Sequence, residues 1–411
     1  MTPNQILVAN IGSTSFKFRL IEMPSECVLA RGGVERIGCP ESTYKVQVGA
    51  EPVEEGSGTF PDYDAAVALV EEKLGGFRGL AAVGFKPVMA RGISGTQLLD
   101  ERVLRAMEEI NTLLPAHNPP YIAAVRSFNR THPELPCVGT FETAFYDHVP
   151  LHNQRFPVPL EWEEKYGVRR HGFHGASHRY VTQRCAELRG TDKLRLISCH
   201  LGGSSSIAAV LNGKAINSSW GMTPQSGLPQ NNRVGDFDVF ALIYLIRDLG
   251  LGIDAVEKAL TSQSGLKGMS GLATGDIRDL VNASAKGNQH ATVALEVFIG
   301  AIRKYIGQFL VELNGADAII FTAGIAENRP KLRARICADL DFCGLELDEE
   351  TNARTCSEEA VISTARSKIE VRVIPTNEEL IIARNAWEKL LSLKSQPHTN
   401  QPYGTTSTRN D

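Results

Sequence analysis

The sequence predicts an α/β protein built from two related domains, and three observations carry that expectation. Apolar strand-like runs alternate with helix-like stretches along most of the 411 residues, the pattern of stacked sheet and helix layers. A chain of this length is long for one hydrophobic core and ordinary for two. One strand–turn–strand device also occurs twice, about 190 residues apart. ILVANIGSTSFKFRL (6–20) is echoed by LRLISCHLGGSSSIAAVLNGKAI (194–216), with Asn10-Ile11-Gly12 against His200-Leu201-Gly202.

Composition narrows the class. At 42% hydrophobic and 22% charged residues the chain reads as soluble and globular. It has no run of eighteen apolar residues, and its start lacks the basic-then-apolar layout of a signal peptide, so a cytoplasmic protein with no membrane partner is expected. A net charge of −4 provides no general attraction to nucleic acid, so an anionic ligand needs local positive groups. The eight cysteines are scattered without a C-x-x-C pair, which argues against a zinc ribbon and against a disulfide framework.

In chain order, ILVAN and FKFRLIEM read as paired strands. The small polar residues between them suit a hairpin turn, and equally suit contact with phosphate oxygens through backbone N–H groups and hydroxyls. AAVALVEEKL reads as a helix, AAVGFK as a strand and ERVLRAMEEINTLL as an amphipathic helix. LLPAHNPPY ends that helix in a turn made rigid by Pro119 and Pro120, fixing His117 and Asn118 beside it. HVPLHNQRFPVP, rich in turn-forming and extended residues, marks a boundary near 149–159.

RRHGFHGASHRY brings together His171, His174 and His178. Gly172 and Gly175 break the helix that would align them on a metal, and one histidine facing a cleft with the others structural fits better. NNRVGDFD sets Arg233 among turn residues, where its guanidinium suits a phosphoryl group or an exposed salt bridge. FTAGIAENRP runs a strand into a glycine-containing turn, the place where α/β folds shape ligand crevices. IPTNEELIIAR opens a helix with Thr376 as a candidate cap and Glu378 and Glu379 in its first turn. The last stretch, 395–411, lacks periodic apolar residues and reads as a disordered tail.

Taken together, ANIGSTSFK, PAHNPP, ETAF, RRHGFHGASH, CHLGGSSS, PQNNRVGDFD, GDIRDL, FTAGIAEN and IPTNEELIIAR resemble, in order and spacing, the motifs of the acetate kinase family over roughly residues 6–392. The resemblance implies two duplicated ribonuclease-H-like domains of the actin-like, sugar-kinase and Hsp70 superfamily around a central cleft. The N-terminal domain would span 1–149, completed by the helix 379–394, and the nucleotide-binding domain 150–378. The implied activity is reversible transfer of the ATP γ-phosphoryl group to a short-chain carboxylate, giving an acyl phosphate and ADP, in a homodimer.

Carried over by motif, Asn10 and Glu378 would hold Mg²⁺ or Mn²⁺, and Ser13, Ser15 and Lys17 would contact phosphate. His174 and Arg233 match transition-state stabilisers, with Glu142 and His117 also at catalytic positions. His200, Leu201, Gly202, Gly203 and Ser204 would border the phosphates, while Asp276, Ile277 and Arg278 with Gly324, Ile325 and Asn328 would meet the nucleoside. The acyl pocket would be lined by Val88, Ala116, Phe173 and Pro224. A carboxylate is already nucleophilic at neutral pH, so such a site requires cations more than a strong base.

Three departures from the family pattern stand out. GFKPVMARG replaces GHRVVHGG, so Lys86 stands where an arginine grips the substrate, and Arg91 is a candidate for supplying the missing guanidinium. Glu142 replaces the aspartate of DTAF, and Gly203 replaces the asparagine of HLGNGSS. Ala116, where leucine is common, would open room for a longer acid such as propionate or butyrate. Competing readings are a sugar or polyol kinase, with Glu142 as base, and a nucleotide-binding regulator that has lost turnover.

Overall fold

A computed structural model describes residues 3–114 and 117–395. Its strands, in chain order, are β1 (Gln5–Gly12), β2 (Ser15–Glu22), β3 (Cys27–Glu35), β4 (Ser42–Val48), β5 (Glu54–Gly58), β6 (Leu80–Phe85), β7 (Thr96–Leu98) and β8 (Cys137–Thr140), followed by β9 (Arg195–Leu201), β10 (Ser205–Leu211), β11 (Lys214–Ser218), β12 (Ala318–Thr322), β13 (Ala360–Val361) and β14 (Glu370–Val373). They form two sheets, ordered β5-β4-β3-β2-β1-β6-β8-β7 and β11-β10-β9-β12-β14-β13.

The echo in the sequence is an echo in topology. Each sheet has an antiparallel meander (β1-β2-β3; β9-β10-β11) whose first strand pairs in parallel with a later one, β6 or β12, and that strand pairs in parallel with the next, β8 or β14. The hairpin register is set by short turns: Gly12 pairs with Ser15 and Asn10 with Lys17, while Leu201 pairs with Ser205 and His200 with Ser206. Both turns therefore lie at the same end of equivalent strands.

Each sheet is covered by helices whose apolar residues form its core. Helix Gln289–Glu312 buries Leu295, Phe298, Ile302 and Phe309 against Ile197, Cys199 and Phe321 of the second sheet. The C-terminal helix Glu378–Ser395 buries Ile381, Ile382 and Ala386 against Ile6, Val8, Ala82 and Val138 of the first sheet. None of the described helices is long and apolar enough to cross a membrane.

Local expectations need three corrections. The amphipathic helix stops at Glu108 and continues as tight turns, because the buried Asn118 side chain donates to the carbonyls of Met107 (2.9 Å) and Met89 (3.1 Å). Pro119 and Pro120 open the next helix, Asn118–Thr131, rather than close the previous one, since a missing N–H costs nothing in a first turn. The cap of Glu378–Ser395 is Asn377, whose Oδ1 accepts from Leu380 N at 3.3 Å, while the Thr376 hydroxyl is buried without a partner. In addition, HVPLHNQRFPVP contains a helical turn, Leu151–Gln154. Ser395 closes the last helix, and the rest of the expected tail lies outside the described residues.

Candidate active site

A pocket of about 200 Å³ draws on both halves of the chain. Asn10 and Ile11 come from the end of β1, Lys86 and Val88 from the segment leaving β6, and Glu142 from the 3₁₀ turn after β8. His117 and Tyr121 enter from the start of helix Asn118–Thr131, while Phe173, His174, Ser204, Trp220, Pro224 and Arg233 close the other side. Strand ends and helix starts converge here because the parallel strands of each sheet run toward it.

Charge in the pocket is organised around Lys86. Its Nζ lies 2.7 Å from Glu142 Oε1 and contacts the Glu378 carboxylate as well. Burial opposes the ammonium, but the two carboxylates outweigh it and hold the Lys86 pKa well above the usual lysine range. Burial is also the main reason the Glu142 carboxyl is pushed up, with Lys86 opposing it. Glu142 Oε2 is buried without a partner. Glu378 is held below its usual range, since Lys86 overcomes the effect of its own burial.

Arg233, in contrast, has no carboxylate partner among the described residues. Its guanidinium is braced by Nη1 on Pro224 O (2.9 Å) and Nη2 on Ser204 Oγ (2.6 Å). A braced, unneutralised arginine in a partly buried pocket is a receptor for an anion.

The histidines divide into cleft-facing and supporting groups. His174, at φ 58°, directly precedes helix Gly175–Arg189 in a left-handed conformation that turns its ring into the pocket. That ring stacks on His200 with centroids 4.1 Å apart. Behind it runs a buried chain: Ser198 Oγ to His178 Nδ1 (2.7 Å), His178 Nε2 to Ser206 Oγ (2.9 Å), and Ser206 Oγ to His174 Nδ1 (2.8 Å). His200 Nδ1 meets Ser177 Oγ at 2.8 Å. Burial drives all three pKa values well below the usual histidine value, so these rings are neutral at pH 7. His117, more open to solvent, is also shifted down, by burial first and then by facing Arg233 and Lys86. His171 does not join this group; it lines a separate pocket with Arg169 and Arg170.

Other candidates fall where the fold puts them. Lys17 shares a sheet face with Asn10 and is exposed, 3.2 Å from Glu35; Ser13 and Ser15 flank the same turn. Gly202 and Gly203 form the equivalent turn after His200. Asp276 caps helix Ile277–Ala285 and pairs with Arg278 at 2.6 Å, whereas the Ile277 side chain is core. Leu201 and Ile325 are likewise core side chains, so only their backbones are available to a ligand. Gly324 and Asn328 lie on the short helix Ala323–Asn328.

Arg91 does not reach the pocket. It is exposed and paired with Glu109 at 3.5 Å, because it follows the bend at Ala90 that turns the chain outward. Ala116 lies outside the described residues.

Sequence reasoning missed Tyr121, Trp220, Ser206 and Ser198. Trp220 packs edge-on to Phe173 (5.5 Å) and its Nε1 donates to Phe173 O (3.2 Å), forming an apolar wall. Its position eighteen residues after Gly202 carries no pattern that a single sequence reveals. Ser206 had a visible signal, as the strand-borne serine of the echo paired with His200.

Comparison with known proteins shows the family to which the chain belongs. The model of the acetokinase family matches residues 5–384. The acetate kinase of Geobacillus kaustophilus is 42% identical over 390 residues, covering 93% of this chain and 98% of that protein. The Bacillus subtilis acetate kinase is 41% identical over 391 residues, with the same coverages. Among solved structures, an acetate kinase from Porphyromonas gingivalis superposes with a TM-score of 0.85 at 36% identity, over 94% of this chain and 100% of that one. A propionate kinase from Francisella tularensis does so with a TM-score of 0.86 at 31% identity, over 94% and 99%.

Proposed function

Since the chain belongs to the acetokinase family, we infer that it transfers the γ-phosphoryl group of ATP to a short-chain carboxylate, acetate or propionate, giving an acyl phosphate and ADP. The observation that carries this reading is Arg233, an anion receptor with no carboxylate partner among the described residues, in a pocket also lined by Val88, Phe173, Trp220 and Pro224, which suit a short acyl tail. A polyol kinase would need a carboxylate base for a hydroxyl nucleophile, whereas the family match favours a carboxylate nucleophile that needs none.

The carboxylate oxygen attacks γ-phosphorus as the bond to the β-phosphate bridging oxygen breaks, and ADP leaves with that electron pair. Arg233 meets the equatorial oxygens in flight. His174 acts as a neutral donor: Ser206 O–H donates to its Nδ1, leaving Nε2–H for the phosphoryl group. His178 Nε2–H donates to Ser206 and so sets that direction, and Ser198 O–H completes the chain. The stacked His200 and Trp220 keep the ring in place. His117 lies at the open side of the pocket, beside the path of the anionic substrates.

The turns Ser13–Ser15 and Gly202–Ser204 would face the phosphates from opposite sheets, with Asp276, Arg278, Gly324 and Asn328 bordering the nucleoside. Asn10 and the orphaned Glu142 Oε2 of the pocket, with Glu378 beside Lys86, would offer the hard oxygen donors that suit Mg²⁺ or Mn²⁺. That ion, when bound, neutralises phosphate charge.

We place the two domains at 1–149, completed by the last helix, and 150–378; the helix packing on the first sheet supports this. A homodimer in the cytoplasm fits the reading. Helix Val239–Arg247 supports the dimer, as none of its residues is buried although Val239, Phe240, Ile243 and Tyr244 are apolar. The test is a coupled ADP-release assay with Mg·ATP over acetate, propionate, butyrate and hydroxylated acids, with a hydroxylamine trap for acyl phosphate. Acetate or propionate should be turned over; ADP release with none of these acids would overturn the assignment.

A further inference from the structure

The turn Gly202–Ser205, which the proposed function sets against the ATP phosphates, is held by one segment, Gln230–Arg233. Gln230 Oε1 accepts from Ser205 N (2.5 Å) and its Nε2 donates to Ser205 O (3.1 Å). Asn231 N donates to Gly203 O (3.2 Å), and Arg233 Nη2 donates to Ser204 Oγ (2.6 Å). Gln230 and Arg233 thus use their side chains on the turn. Asn231 uses its backbone there and has its side chain to spare.

That side chain is unengaged. Asn231 Oδ1 is buried without a partner, and no protein acceptor meets Nδ2 among the described residues. Its Nδ2 is free to donate to an acceptor from outside the protein, and its location points to what that acceptor is. Asn231 Nδ2 stands 3.3 Å from where a Cβ on Gly203 would be, so the amide occupies the space that a side chain at 203 would need. On the other flank, Asn231 O receives Lys267 N (2.8 Å) and lies so close to Gly275 that a Cβ there would approach it to 1.9 Å. Asn231 is therefore wedged between the phosphate-facing turn and the Gly275-Asp276 turn on the nucleoside side.

We propose that Asn231 is a nucleotide-binding residue, its carboxamide supplying to the ATP and ADP phosphates the amide donor that Gly203 does not carry. Gly203 and Asn231 form a reciprocal pair: the glycine makes the room and the asparagine fills it. The proposal rests on the acyl-kinase reading for the identity of the phosphates, but its test does not require turnover.

Mg·ADP binding is measured by calorimetry on the full chain for wild type, Asn231→Ala, Asn231→Gly and the exchange variant Gly203→Asn/Asn231→Gly, with melting temperatures as a fold control. Losing a hydrogen bond to a charged phosphate should weaken Mg·ADP about tenfold or more in Asn231→Ala and Asn231→Gly, and raise the KM for ATP while leaving the KM for acetate within about twofold. The exchange variant should recover most of the lost affinity, because it returns an amide to the same space from the other side. Unchanged Mg·ADP affinity in a folded Asn231→Ala overturns the proposal, as does an exchange variant no better than Asn231→Gly. Absence of carboxylate turnover in wild type with this binding pattern intact would overturn the acyl-kinase reading alone.

Discussion

Lys86 Nζ lies 2.7 Å from Glu142 Oε1, so two departures from the family pattern that look independent along the chain are partners in space. Where the pattern has an arginine and an aspartate, this chain has the shorter-reaching cation facing the longer acid. The longer acid reaches the shorter cation directly. The bidentate fork is lost, and a point charge shared between Glu142 and Glu378 takes its place.

The pair should therefore behave as a unit. Lys86→Arg crowds the gap and Glu142→Asp leaves it too wide, so each alone should reduce kcat/KM by about tenfold or more. The double variant should recover at least about 1 kcal/mol relative to the sum of the singles. Lys86→Met, which strands two buried carboxylates, should cost about 3–5 kcal/mol of stability. Steady-state kinetics and thermal melts on the four proteins check this, and strict additivity would refute the coupling.

Arg233 should be the most sensitive cation. Arg233→Ala should lower kcat by roughly 10²–10³-fold, and Arg233→Lys should recover little, because lysine cannot brace on Pro224 O and Ser204 Oγ while presenting a donor to phosphate. A Lys variant with near wild-type kcat would reduce Arg233 to a long-range charge.

Ser206 joins two histidines through one hydroxyl. Ser206→Ala leaves both imidazoles short of a partner and should destabilise the fold by about 1–3 kcal/mol. It also frees His174 to turn its acceptor nitrogen toward phosphate, so kcat should fall while the KM for ATP changes little. A drop in melting temperature with unchanged kcat would leave the serine a purely structural role.

Acid should act through the same histidines. His174, His178 and His200 have folded pKa values well below the ordinary histidine value because burial disfavours their charged forms. Unfolded, they titrate near pH 6.5. Below that pH the unfolded chain takes up protons that the folded chain refuses, so stability is full above about pH 6.5 and declines toward the folded values. Melting temperature should be level from pH 7 to 8 and fall between 6.5 and 5. Carboxylates held low by ion pairs, such as Glu26 beside Arg384, contribute only at lower pH. A level profile down to pH 5 would contradict burial of neutral imidazoles.

The exposed apolar helix Val239–Arg247 should disappear into a subunit contact. Phe240→Glu with Ile243→Asp should convert the dimer to a monomer by sedimentation velocity without lowering the melting temperature of the isolated subunit. A wild type that sediments as a monomer at micromolar concentration would remove the dimer.

Much of this molecule is local and so legible in one dimension. Strand alternation in ILVAN and FKFRL, the short polar turns at Ser13-Thr14 and Gly202–Ser204, and the recurrence of both about 190 residues later determined the two-sheet plan, because hairpin register depends on residues adjacent in sequence. The motifs likewise marked most of the pocket, since Asn10, Glu142, His174, Arg233 and Glu378 sit in turns or at element ends whose composition is distinctive. Only the tertiary structure decided who faces whom. It turned Arg91 out to Glu109 and closed Lys86 between Glu142 and Glu378. It gave His178 to Ser198 and Ser206, and seated Asn231 against Gly203. Those pairings join residues from 18 to 292 positions apart. They are set by how two sheets and their covering helices pack, a relation among distant segments that no local pattern encodes.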